Sequence, residues 1–77
     1  MKISEATTSR IIKLMEEKGV SKKDLIKRSG ITSETISKIL SNYNAKPKIT
    51  TIYKICKAFE ISLAEFYNDT MFNTVAD

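Results

Sequence analysis

Residues 21–40 read SKKDLIKRSGITSETISKIL, and the fold is decided there. Leu25, Ile26, Ile31, Ile36, Ile39 and Leu40 are apolar, and Lys22, Lys23, Lys27, Arg28 and Lys38 stand between them. The spacing predicts two short helices joined by the turn Ser29-Gly30-Ile31-Thr32. Gly30 lacks a Cβ and takes a positive φ without a clash, so it ends the first helix abruptly. Thr32 follows as a side-chain cap for the second helix. Helix, glycine turn and second helix make a helix-turn-helix pattern.

The rest of the chain bounds the reading. A length of 77 residues, 42% of them hydrophobic, supports one domain, 1–77, with a modest core. Only two Gly and one Pro argue against a many-turned β protein. The net charge of +4 is unevenly spread. Residues 21–48 hold seven basic and two acidic side chains, whereas residues 58–77 hold four acidic and none basic. A basic face of this kind is the electrostatic footprint of phosphate binding. The single Cys56 excludes an internal disulfide and suits a reducing compartment. No apolar run approaches the roughly 20 residues of a membrane span. The first ten residues lack the apolar core of a signal peptide, so a cytoplasmic location is expected.

Periodicity supplies the other helices. Ser4 is the expected cap of a first helix running to about Lys18, with Ile11, Leu14 and Met15 along its apolar stripe. Gly19 is its stop, and Val20 precedes the next cap, Ser21, which faces Asp24 as a capping-box partner. A helix over about 33–41 buries Ile36, Ile39 and Leu40. It leaves Ser33, Glu34, Ser37 and Lys38 on the opposite side. Residues 42–48, NYNAKPK, form the one clear loop. A fourth helix over about 50–59 carries Ile52, Ile55, Cys56 and Phe59 on one side. Ser62 and Glu65 open a short fifth helix through about Asn68. The core is expected over about 5–68, with a fraying tail over 69–77, from which Met71 and Phe72 could still dock. Five helices in one all-α domain is the resulting fold class.

These residues resemble the Cro/phage-repressor type of helix-turn-helix domain, also called the XRE family. The likeness runs through RIIKLMEEKGVSKKDLIKRSGITSETISKIL, residues 10–40, and KPKITTIYKICKAFEISLAEFY, residues 46–67. The second part matters because a lone helix-turn-helix pattern is weak evidence. The resemblance implies a five-helix, lambda repressor-like fold with residues 33–40 as recognition helix. It also implies a small bacterial or phage transcription regulator, associated with the nucleoid and often dimeric. Three positions depart from the family pattern. Lys22 stands where Gln usually contacts phosphate. Ile26 stands where a small residue is favoured and must repack against Ile36. Lys48 stands where Ser or Thr often caps the fourth helix, with Thr50 as the other candidate cap.

On that reading Ser33, Glu34, Ser37 and Lys38 are the base-contact candidates. Lys38 can donate to guanine O6 and N7 or to phosphate, and the two serines to several bases. Glu34 either stabilises the helix start, the reading taken first, or accepts from a cytosine amino group. Lys22, Lys23, Thr35, Tyr43, Asn44, Lys46 and Lys48 are the phosphate-contact candidates, which fix register without reading sequence. Lys27 and Arg28 point elsewhere.

Catalysis has little support. The chain has no His, and Cys56 sits within an apolar helical stripe. It carries no metal-ligand cluster, P-loop or dinucleotide fingerprint, so no cofactor and no metal is expected. The expected function is a sequence-specific regulator, a repressor, acting on double-stranded DNA as a homodimer on a palindromic operator. The alternative is a protein-interaction module, such as the antitoxin of a toxin–antitoxin pair; the C-terminal apolar set Phe66, Tyr67, Met71 and Phe72 could form that contact, and equally the homodimer seam or simply core. A membrane partner is not expected, because the apolar stripes are needed to build the bundle.

Overall fold

A computed structural model describes residues 2–41 and 46–76. The chain runs through α1 (Ile3–Lys18), α2 (Lys22–Ser29), α3 (Ser33–Ser41), α4 (Ile49–Phe59) and α5 (Leu63–Tyr67). A 3-10 turn at Thr70–Thr74 follows. No strand occurs among the described residues. The apolar positions of all five helices converge on one core. Ile11 and Leu14 come from α1, Leu25 from α2, Ile36 and Ile39 from α3, Ile52, Ile55, Cys56 and Phe59 from α4, and Phe66 from α5. Val20 and Ile31, the residues just outside two helix ends, are buried with them. α2 packs chiefly on α4, and α3 rests on α1 and α2.

Several helix ends differ from expectation, each for a local reason. Ser4 is not the cap of α1. The helix begins one residue earlier, behind Lys2, whose amide donates to Glu5 Oε1 at 3.3 Å, and Ser4 is buried within its first turn. Thr50 is not the cap of α4 either. That helix starts at Ile49 behind Lys48, an N-cap that makes no side-chain bond. α4 ends at Glu60, held at φ 60° because its amide satisfies the Cys56 and Lys57 carbonyls. At α5 the Ser62 hydroxyl accepts from the Glu65 amide at 3.0 Å, half of the anticipated box.

The tail does not fray up to Thr74. Asp69 Oδ1 accepts from the Met71 amide at 2.9 Å and starts the 3-10 turn. Phe72 then packs against the core, its ring 6.2 Å from Phe66 and 5.0 Å from Tyr67. What holds the tail there is Arg10 on α1, 7% exposed. Its Nε donates to the Phe66 carbonyl at 2.6 Å and its Nη2 to the Glu65 carbonyl at 2.9 Å. Both are carbonyls at the C-terminal end of α5, where helix carbonyls run short of amide donors; the Glu65 carbonyl also accepts from the Asn68 amide at 3.3 Å. Asp69 lies 3.6 Å from the same guanidinium and 2.8 Å from Lys13 Nζ.

This buried guanidinium is costly to remove, because the buried Phe66 carbonyl then loses its donor and Asp69 loses a cation. Arg10→Ala is expected to lower the unfolding free energy by about 3 kcal/mol. Arg10→Lys keeps the charge but has no planar fork, and should recover only part of the loss. Urea unfolding of the two variants checks this.

Stability also depends on acid. The hydrogen bond from Lys13, then that from the Met71 amide, holds the Asp69 carboxyl below its ordinary value of 3.8. The Ser21 side chain, then its amide, does the same for Asp24. A carboxylate whose folded pKa is depressed stabilises fully above the unfolded value, and the stabilisation is lost as pH falls through the folded one. Urea unfolding across a pH series is therefore expected to be flat near neutrality and to weaken below about pH 4. Asp69→Asn should make that acid limb shallower.

Candidate nucleic-acid interface

The turn between α2 and α3 is built by short-range bonds. Ser21 Oγ accepts from the Asp24 amide at 3.1 Å, and Asp24 Oδ2 accepts from the Ser21 amide at 3.4 Å, so the anticipated capping box is made. Gly30 adopts φ 73° and its amide donates to the Ile26 carbonyl at 3.1 Å. Ser29 Oγ accepts from the Ile31 amide at 3.1 Å, which turns Ile31 into the core. Thr32 Oγ1 then accepts from the Thr35 amide at 3.2 Å and bonds the Thr35 hydroxyl at 2.8 Å, so Thr32 caps α3 as anticipated. Ile26, the bulky departure, is half-buried and packs against the core edge.

α3 presents a distinct outer face. Ile36 and Ile39 are buried; Ser33, Glu34, Thr35, Lys38 and Ser41 are exposed. At about 100° per residue, Glu34, Lys38 and Ser41 fall almost opposite the Ile36–Ile39 side. Ser37 is half-buried and so less free than expected, and its carbonyl accepts from Ser41 Oγ at 2.6 Å. The far end of α3 is tied down by α1, where the buried Thr8 hydroxyl donates to the Ile39 carbonyl at 2.9 Å. α3 is thus fixed at both ends.

Exposed lysines stand in two stretches of the chain, one before and one after this helix. Lys22 and Lys23 are exposed at the start of α2, and Lys46 and Lys48 lie just before α4, Lys46 exposed and Lys48 exposed beside it across the half-buried Pro47. Thr35, Lys38, Ile39, Lys46, Pro47 and Thr51 line one shallow depression of about 230 Å³. Three of the anticipated contact residues, Thr35, Lys38 and Lys46, are therefore neighbours. The Thr35 hydroxyl is shared with Thr32, which adds a capping role to the expected one. Tyr43 and Asn44 lie outside the described residues. Ser41 and Thr51 carry little signal in the sequence. Ser41 follows the apolar run of α3 by one residue, and Thr51 joins the surface only because α4 starts at Ile49.

Cys56 is buried, and burial raises its thiol pKa, which works against a thiolate nucleophile. Among the described residues no group of His, Cys, Asp or Glu could hold a metal ion, and no helix is long and apolar enough to cross a membrane.

Two helices set by a left-handed glycine, the second with an exposed outer face bordered by Lys46, define a helix-turn-helix domain. The chain belongs to the Cro/C1-type HTH DNA-binding domain family, whose model matches residues 10–70. No curated protein and no solved structure matches the chain.

A methyl group added at Gly30 would meet open space, so the cost of a side chain there is conformational alone. Gly30→Ala is expected to cost about 1 kcal/mol, and Gly30→Asn less, because Asn tolerates the left-handed region. Thermal unfolding of the pair checks the ranking.

Proposed function

We propose that the domain is a sequence-specific transcriptional regulator, a repressor, that inserts α3 into the major groove. The observation that supports it best is the exposure of Glu34 and Lys38 on the outer face of an α3 held at both ends, with Lys46 sharing a depression with Lys38 and Thr35. The lysines attract and position the phosphates, and α3 reads base edges. One short helix covers only a few base pairs, so useful selectivity calls for two copies. A homodimer calls in turn for a palindromic operator with half-sites about 10 bp apart, or a multiple of that. Occupying the operator blocks other proteins, which is repression in its simplest form.

A second reading, a protein-interaction module such as an antitoxin, draws on exposed apolar side chains. Ile49 is 60% and Tyr53 51% exposed on α4. Ile3 and Tyr67 line an open groove of about 730 Å³ with Pro47 and Ile52. Co-purification with a stable protein partner, together with an absence of sequence-selective DNA binding, would favour that reading.

Each phosphate neutralised adds about −0.9 to the slope of log K against log salt. Replacing Lys22, Lys46 and Lys48 together by Ala should weaken DNA binding and make the slope shallower by about 2 to 3. Fluorescence anisotropy over a salt series reads both quantities. Unchanged affinity and slope would refute the docking face.

A further inference from the structure

The side chains on the outer face of α3 also carry information about which bases they meet, an inference that rests on the DNA-reading function proposed above. Glu34 is exposed at the second position of α3 and makes no hydrogen bond or ion pair among the described residues. The capping work at this helix end is done by Thr32. Lys38 lies four residues on, at the spacing where Glu and Lys ordinarily pair on a helix, yet the two form no ion pair. Both side chains are therefore exposed and free to meet a partner.

Their chemistries are opposite. A carboxylate only accepts, and in a groove walled by phosphates it is repelled unless it meets a donor. The major groove offers such donors at cytosine N4 and adenine N6. Adenine's amino group is flanked by acceptors on both sides, its own N7 and the O4 of the paired thymine, whereas cytosine's has the guanine O6 on one side only and C5–H on the other, leaving room for the second carboxylate oxygen. Cytosine is the better match. An ammonium only donates, and guanine offers it two acceptors side by side, O6 and N7. Four residues of helix rise about 6 Å, and bases stack about 3.4 Å apart. Contacts from the two side chains thus fall about two base steps apart when the helix follows the groove.

We infer that α3 reads a half-site in which Glu34 selects cytosine and Lys38 selects guanine about two base pairs away. Glu34 is then the residue that rejects wrong sequences, since any base without an amino group at that position leaves a carboxylate unpaired against the duplex. Lys38 adds attraction that is sequence-selective only where it meets guanine.

The test is selection and sequencing from a random duplex pool with the wild-type chain, Glu34→Gln and Lys38→Met, at about 150 mM salt so that nonselective phosphate attraction is weakened. Both positions are exposed, and thermal unfolding checks that each variant is folded. The wild type should enrich sites with cytosine and guanine about two steps apart. Glu34→Gln should move the preference at the first position from cytosine to adenine, whose N6 and N7 match an amide, by about tenfold or more. Lys38→Met should erase the guanine preference at the second position, again by about tenfold, and leave the first intact. If either variant keeps the wild-type base preferences everywhere and differs only in affinity, the paired reading is overturned while DNA reading stands. If the wild type enriches no sequence, both the inference and the function it rests on fall.

Discussion

The buried guanidinium of Arg10 is the constraint on which the C-terminal half of the domain depends. α5 is only five residues long, too short to be stable by its own hydrogen bonds. Its Phe66 fills the core, and at its end the Glu65 carbonyl has one long bond of its own, 3.3 Å from the Asn68 amide. Arg10 covers that carbonyl and the Phe66 carbonyl at once and carries its own charge to Asp69. A cation taken out of water is tolerable when it is hydrogen-bonded and partly neutralised, and this one is both. The consequence reaches the tail, because Asp69 also starts the 3-10 turn that brings Phe72 onto Phe66 and Tyr67.

α1 works in two directions. Thr8 and Arg10 are two residues apart, about 200° around the helix, and so face different neighbours. Thr8 holds the end of α3, and Arg10 holds the end of α5. The helix between them, packed through Ile11 and Leu14, is the post against which both are positioned. A change in α1 that tilts it therefore moves the outer face of α3 and the C-terminal aromatic cluster together.

Much of this architecture is legible in the residues themselves. Apolar spacing locates all five helices, and Gly19, Gly30, Ser21 and Thr32 mark their ends because each acts through its nearest neighbours. What is not legible depends on residues far apart in the chain. Arg10 lies on the core-facing side of α1, four residues before Leu14, and a cation there is a signal to look for buried acceptors. Its partners are backbone carbonyls 55 and 56 residues away, which carry no side-chain signature. The tail resembles a fraying end for the same reason, since Lys13 and Asp69 meet only in three dimensions. The left-handed Glu60 has no glycine to announce it; the carbonyls of Cys56 and Lys57 impose it. At the site, residue types suggest the contacts, but only the packing reveals that Ser37 is half-buried and that Lys46 comes to lie beside Lys38.

The division of labour across the interface follows from side-chain stiffness. Lys22, Lys23, Lys46 and Lys48 are long and flexible, which suits them to diffuse attraction toward phosphate and little else. Selectivity needs groups whose position is fixed, because a mismatch costs only if the side chain cannot move away from it. Side chains on a helix anchored at both ends come closer to that requirement. α3 is anchored by Thr32 and Gly30 at its start and by Thr8 at its end, none of which lies on its outer face. The fold thus holds α3 by one buried bond at its end and a local cap at its start and leaves Glu34 unpaired; on the proposed reading, an unpaired carboxylate on so rigid a frame would penalise a wrong base.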